Sequence, residues 1–209
     1  ASFGDIYGQS IKYEQLPKNL INAVIVTEDR RFFDHIGIDI VGIGRAIIVN
    51  LKAGQIVQGG STITQQLAKN LFLSPERSIT RKLHEAILSL WLEFRFSKKQ
   101  ILSIYLNRVY LGSGTYGVQA ASEKYFNKKV EDLDLYECAL IASLLKAPSK
   151  YNPISNRNLS NERTKKVLRN MANNDLIKIS EIEQLKKNKS SYRDISDPPK
   201  SARYFVDWL

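Results

Sequence analysis

Arg81-Lys82-Leu83-His84-Glu85-Ala86-Ile87-Leu88-Ser89-Leu90-Trp91-Leu92-Glu93-Phe94 is the stretch on which the fold class turns. Leu83, Ile87, Leu90 and Phe94 stand at i, i+4, i+7 and i+11, the stripe of a helix with one buried face. Strand alternation is scarce along the chain, and the one rival to helix is the β-branched run Val24-Ile25-Val26-Thr27. Outward from this stretch, start signals recur: Thr62 and Gln65, Ser97 and Gln100, Asp134 and Glu137, and Ser180 and Glu183 each stand three apart, as in a capping box or its acidic variant. Together they predict helices over 17–29, 38–53, 62–73, 79–96, 98–110, 117–126, 133–146, 160–174 and 180–188. Turn chemistry at Gly54, Gly59-Gly60, Gly112-Ser113-Gly114, Ala147-Pro148 and Asn152-Pro153 separates them. The expected fold class is mainly α.

A chain of 209 residues with 43% hydrophobic and 25% charged residues has globular proportions, which excludes a disordered or fibrous protein. It is long enough for one large domain or two unequal lobes and needs no staple. The single cysteine, Cys138, excludes an internal disulfide and a Cys-clustered zinc site, and two histidines, His35 and His84, leave little material for a metal centre. A formal charge of +10 points to an anionic partner: nucleic acid, acidic phospholipid or a phosphorylated substrate. No apolar run is long enough to span a membrane. After residue 188 the chain turns polar around Asp197-Pro198-Pro199-Lys200 and apolar again at Tyr204-Phe205-Val206-Asp207-Trp208-Leu209, so 1–188 reads as the domain and 189–209 as a linker.

Four segments concentrate chemistry. Glu28-Asp29-Arg30-Arg31-Phe32-Phe33-Asp34-His35-Ile36-Gly37 lies where an apolar helix gives way to charge. Adjacent Glu28 and Asp29 point about 100° apart on a helix, so at most one is a catalytic carboxylate; a solvated helix end with ion pairs would show the same composition. Gln58 to Asn70 is a glycine turn running into a capped helix, which presents free N–H groups of the kind that bind anions, with Ser61, Gln65, Gln66 and Lys69 within two turns and Arg77 shortly after. A hydrophilic N-cap alone would look similar. Arg81 stands four residues before Glu85, which lies opposite the apolar stripe, so the two suit an ion pair. Lys98 to Asn107 reads as a core helix with a buried tyrosine, Tyr105, and a polar end.

In order, Glu28-Asp29-x-x-Phe32-x-x-His35-x-Gly37, Gly60-Ser61-Thr62-Ile63-Thr64-Gln65-Gln66, Arg81-Lys82-x-x-Glu85 and Lys98-x-x-Ile101-Leu102-x-x-Tyr105-x-Asn107 resemble the first four motifs of the bacterial peptidoglycan glycosyltransferases, the family 51 glycosyltransferases. The resemblance covers roughly residues 17–171. A fifth motif is partly present as Arg163-Thr164-Lys165-Lys166-Val167-Leu168, with Thr164 where a second arginine is usual, and is taken as mainly fold-supporting.

The resemblance implies a lysozyme-like helical lobe plus a small membrane-facing lobe at about 38–60. It implies polymerisation of lipid II by inverting displacement of undecaprenyl pyrophosphate, with Glu28 as general base on the acceptor 4-hydroxyl. Glu85 would be the second acidic residue, orienting neighbours or assisting the leaving oxygen. Lys69 and Arg77 would meet the donor phosphates, with Arg31, Arg45 and Lys82 as further cationic contacts and Ser61, Gln65 and Gln66 lining the cleft. Asp29, Phe32, His35, Gly37, Tyr105 and Asn107 would support the motifs, and His84 stands where relatives often carry lysine. No cofactor is required and no metal ligand cluster is present, although Mg or Mn would be able to bridge pyrophosphate and a carboxylate. The implied partners are lipid II, the growing glycan strand and the cytoplasmic membrane, at whose outer face a missing N-terminal anchor would hold the enzyme, with no nucleic acid. The segment Ala202 to Leu209 resembles the lead into the transpeptidase of class A penicillin-binding proteins, so a transpeptidase domain in cis is expected. Two other readings remain at this point: a lysozyme-like glycan hydrolase or lytic enzyme, which would not need phosphate-directed cations, and a non-catalytic basic module binding membranes or nucleic acid.

Overall fold

Helix α1 (Lys18–Glu28) follows Pro17, whose carbonyl accepts the first backbone bonds from Leu20 and Ile21. It contains the β-branched run Val24 to Thr27, and that run is helical because Leu20, Ile21, Ala23, Val24 and Val26 are all buried against the rest of the molecule. Tertiary burial overrides the β propensity here. The computed structural model of the chain describes residues 6–55, 59–73 and 78–187. The remaining helices within them are α2 (Ile40–Ala53), α3 (Ile63–Phe72), α4 (Ile79–Arg95), α5 (Lys98–Arg108), α6 (Val118–Phe126), α7 (Leu135–Leu144), α8 (Arg157–Ala172) and α9 (Ile179–Lys187). The mainly α expectation holds, and every predicted helix is present with ends within a few residues.

The centre of the core is α7, in which every residue from Tyr136 to Leu144 is buried. It packs against α1 and α8, while α3 packs against α4 and α5. Such a helix needs a firm start. Asp134 and Glu137 supply it as a reciprocal capping box, as do Thr62 with Gln65 and Ser97 with Gln100. The fourth predicted box does not form as read: α9 already contains Ser180, and Glu181 instead reaches back to the Lys178 N–H at 2.6 Å. Truncating a core side chain such as Leu140 to alanine would cost about 2–5 kcal/mol.

The N-terminal chain is clasped to this core. Strand β1 (Ile6–Tyr7) pairs in parallel with β2 (Thr115–Tyr116). The Asn107 side chain then receives the Ile11 N–H on Oδ1 at 2.9 Å and donates Nδ2 to the Ile11 carbonyl at 2.8 Å, mimicking one rung of a sheet. Gly117, at φ +85°, lies beneath Asn107, and an added Cβ would come 2.6 Å from its carbonyl oxygen, so only glycine fits.

The apolar stripe of α4 corrects the sequence reading. Leu83, Ile87, Leu90 and Phe94 are 60%, 55%, 41% and 87% exposed, and the buried residues are Glu85, Ser89 and Leu92 on the other side. The turn at Gly37 (φ +97°) packs on that side, with a Cβ there 3.0 Å from the Ser89 carbonyl oxygen. Helix α2 stands away from the core likewise: only Gly42 and Ala46 are buried in it, while Ile40, Val41, Ile47, Ile48 and Leu51 face outward.

Candidate active site

Glu28 is the last residue of α1, and the extended backbone of Asp29 (φ −158°) ends the helix and separates the two carboxylates. Asp29 is buried and turned inward. His35 Nε2 lies 3.0 Å from Asp29 Oδ2 and 3.1 Å from Oδ1, and the Ile63 N–H donates to Oδ2 at 3.0 Å. Since the Gly37 N–H donates to His35 Nδ1, the ring donates from Nε2. Thr62 Oγ1 closes the loop by donating to the Gly37 carbonyl at 2.6 Å. The first motif is thus folded around the N-terminus of α3, and the backbone N–H of Ile63, one of the free donors there, is spent on Asp29. Phe32 is fully buried, with Lys98 Nζ 4.5 Å from its ring centre.

Glu28 points the other way. Its Oε2 accepts from Gln66 Nε2 at 2.9 Å, and Gln66 Oε1 accepts from the Tyr105 hydroxyl at 3.0 Å. Among the described residues Oε1 carries no hydrogen bond. Burial pushes the carboxyl above the usual carboxylate range, the Gln66 bond and the charges of Arg163 and Lys146 pull it back, and Asp29 adds to the rise.

The cleft beside Glu28 has a volume of about 650 Å³. Arg30, Arg45, Lys69, Lys146 and Arg163 contribute to its wall, against the carboxylates of Glu28, Asp29 and Asp39. Asp29 is taken up by His35, and Asp39 lies 3.5 Å from Arg31. Positive charge therefore dominates the wall. Three buried polar atoms of lining residues, Thr27 Oγ1, Arg45 Nε and Arg163 Nε, have no hydrogen-bond partner among the described residues.

Of the residues singled out in the sequence, Glu28, Asp29, Arg45, Ser61, Gln66 and Lys69 line this cleft. Gln65 does not: its side chain accepts the Thr62 N–H at 3.1 Å and completes the cap of α3. Arg31 is turned to Asp39. Glu85 is buried beneath the wall, with Arg81 Nε 3.2 Å from one oxygen and Lys82 Nζ 2.7 Å from the other. Lys82 also donates to Ser61 Oγ at 2.9 Å, so Glu85 reaches the cleft through Lys82. His84 is exposed on α4, and Arg77 lies outside the described residues.

Sequence reasoning missed Thr27, Arg30, Lys146, Arg163 and Asn170, all in the wall. The fifth motif, taken as fold-supporting, does both jobs. Thr164 is fully buried and gives its hydroxyl to the Ser160 carbonyl at 2.9 Å, while its neighbour Arg163 faces the cleft. For Lys146 a signal existed: it is the first charge after helix α7, which is buried from Tyr136 to Leu144.

The sequence matches the transglycosylase family over residues 2–172. The chain belongs to the transglycosylase family. This transglycosylase is 48% identical to penicillin-binding protein 1A of Aquifex aeolicus over 95% of this chain and 27% of that protein. It is 44% identical to penicillin-binding protein 1A of Neisseria flavescens, over 98% of this chain and 26% of the relative. The crystal structure of penicillin-binding protein 1A from Haemophilus influenzae overlaps 86% of this transglycosylase and 17% of the larger chain, at 25% identity and a TM-score of 0.46. The chain spans about a quarter of the length of the curated relatives it matches. Family and relatives agree with the enzyme class expected from the motifs, a peptidoglycan glycosyltransferase.

Proposed function

We propose that the chain polymerises lipid II by direct, inverting displacement. Glu28 takes the proton from the acceptor 4-hydroxyl, the oxygen forms a bond to the donor anomeric carbon, and the carbon–oxygen bond to the pyrophosphate breaks with its electron pair leaving on phosphate. An α-linked donor thereby becomes a β-1,4 link. A sugar hydroxyl is far too weak an acid to ionise unaided, so a base within the cleft is required. The pyrophosphate needs little acid help but gains negative charge, which Arg45, Lys69 and Arg163 compensate. Glu85, with both oxygens occupied by Arg81 and Lys82, orients Lys82 toward Ser61 rather than transferring protons.

The observation that carries this reading is a half-buried carboxylate with one oxygen unengaged among the described residues, on a wall where five cations outnumber the acids. A glycan hydrolase would have no use for that excess. On the same reading the outward apolar face of α2 meets the outer leaflet of the cytoplasmic membrane, where the lipid anchor of the substrate resides. Among the described residues no helix is long and apolar enough to cross a membrane. Penicillin binding, named in the longer relatives, comes to this chain only as the proposal that it works in cis with a transpeptidase domain. Incubation with lipid-linked disaccharide and, separately, with preformed glycan tests the function. Polymer from the first supports it; cleavage of the second, or no reaction with either, refutes it.

A further inference from the structure

Tyr105 has no role in the reaction as proposed so far. It lies on α5, 1% exposed, and touches the site only through its hydroxyl. An ionised carboxylate can only accept, so Gln66 must turn its NH2 group toward Glu28 and its carbonyl toward Tyr105, whose hydroxyl must then donate. The three groups form a chain with one direction. The two ends of a glutamine amide are nearly the same size, so packing alone does not choose between them. The ionised Glu28 makes the choice, and the Tyr105 hydroxyl, held at a fixed place by a ring locked in the core, secures it by donating to the Gln66 carbonyl.

We propose that Tyr105 is a positioning residue for the general base, acting through the Gln66 carboxamide to hold Glu28 ionised and aimed into the cleft. The effect on rate rests on the reading of Glu28 as base; the effect on Glu28 itself does not. The other groups facing Glu28 are Asp29 beside it, Lys146 after α7 and Arg163 on α8, which act through charge, whereas Gln66 on α3 supplies a hydrogen bond. Burial and the nearby Glu28 charge keep the Tyr105 hydroxyl well above the usual phenol range, so it remains a donor throughout the working pH.

A double-mutant cycle of Tyr105→Phe and Gln66→Leu on the 209-residue chain tests this, read first by 13C NMR titration of the Glu28 carboxyl, assigned by its loss in Glu28→Gln. The expected result is a rise of about half to one pH unit in the Glu28 midpoint for Tyr105→Phe, and no further rise when Tyr105→Phe is added to Gln66→Leu. The acid limb of the polymerisation rate should move the same way, with about 3- to 10-fold less activity on its slope. An unchanged midpoint, or an equal shift in both backgrounds, overturns the proposal. Should Tyr105→Phe fail to fold, Gln66→Leu alone must raise the midpoint, and an unchanged value overturns it equally. A full NMR response alongside an active Glu28→Gln enzyme upholds the relay and refutes the base role of Glu28.

Discussion

Glu28 and Asp29 are neighbours in the chain that both border the cleft but whose carboxylates have separate partners: Asp29 is bound to His35 and the Ile63 N–H, and Glu28 to Gln66. The division follows from the extended Asp29 backbone that terminates α1. One acid builds the site and the other is available to work in it.

Exchanging each acid for its amide should separate the two roles. Glu28→Gln keeps shape but cannot take a proton, and should lower polymerisation by about 10²- to 10⁴-fold with the fold intact. Asp29→Asn puts an amide where two donors, His35 Nε2–H and the Ile63 N–H, converge and should lower the melting temperature as well as activity, since a hydrogen bond to a charged group contributes about 1.5–3 kcal/mol. Thermal melts beside turnover assays decide this, and retention of more than a tenth of the rate by Glu28→Gln would remove it from the base role.

The raised proton affinity of Glu28 has a stability consequence of definite sign. Between its ordinary and its raised midpoint the folded protein holds a proton on Glu28 that the unfolded chain releases, so this group's contribution falls as pH rises through that window. Above it the buried charge is a standing cost. Glu28→Gln should therefore melt higher than the parent at pH 8, with the advantage fading by about pH 4, below the ordinary carboxylate midpoint. An advantage that does not change with pH would show that ionisation of Glu28 is not its origin.

The wall cations should matter individually. Arg45→Ala, Lys69→Ala and Arg163→Ala are each expected to lower kcat/KM for the lipid-linked donor by roughly 10- to 100-fold, the range of a charge-assisted contact. Lys166→Ala, exposed on the same helix as Arg163, should be close to neutral. Equal small losses at all four positions would reduce the cations to bulk attraction for an anionic surface.

The two outward apolar faces make a stability prediction opposite to the one their periodicity suggests. Leu83→Ala on α4 should change stability by less than about 0.5 kcal/mol, as at ordinary surface sites, whereas Leu92→Ala should cost about 2–5 kcal/mol. Replacing Ile40, Ile47 and Ile48 of α2 together by serine should leave the melt nearly unchanged and weaken binding to anionic liposomes. A large drop in melting temperature with unchanged liposome binding would mark α2 as a core helix instead.

What could be read from the sequence was what short-range chemistry decides. Helix spans follow from caps and breakers a few residues apart, so Thr62 with Gln65 or Asp134 with Glu137 announced their helices without help from the rest of the chain. The ordered motifs led to the enzyme class and to Glu28, Ser61, Gln66 and Lys69. Tertiary structure alone decided which side of α4 is covered: periodicity marks an apolar stripe, but the Gly37 turn, some fifty residues away in sequence from Leu90, packs on the other face. It also decided that Gln66 addresses Glu28, because one residue of helix turns a side chain by about 100° and only the placement of α1 and α5 says what stands there. Lys146 and Arg163 join the cleft for the same reason: their loop and helix are brought to Glu28 by the packing of α7 and α8 on α1, a contact between segments more than a hundred residues apart that no local pattern encodes.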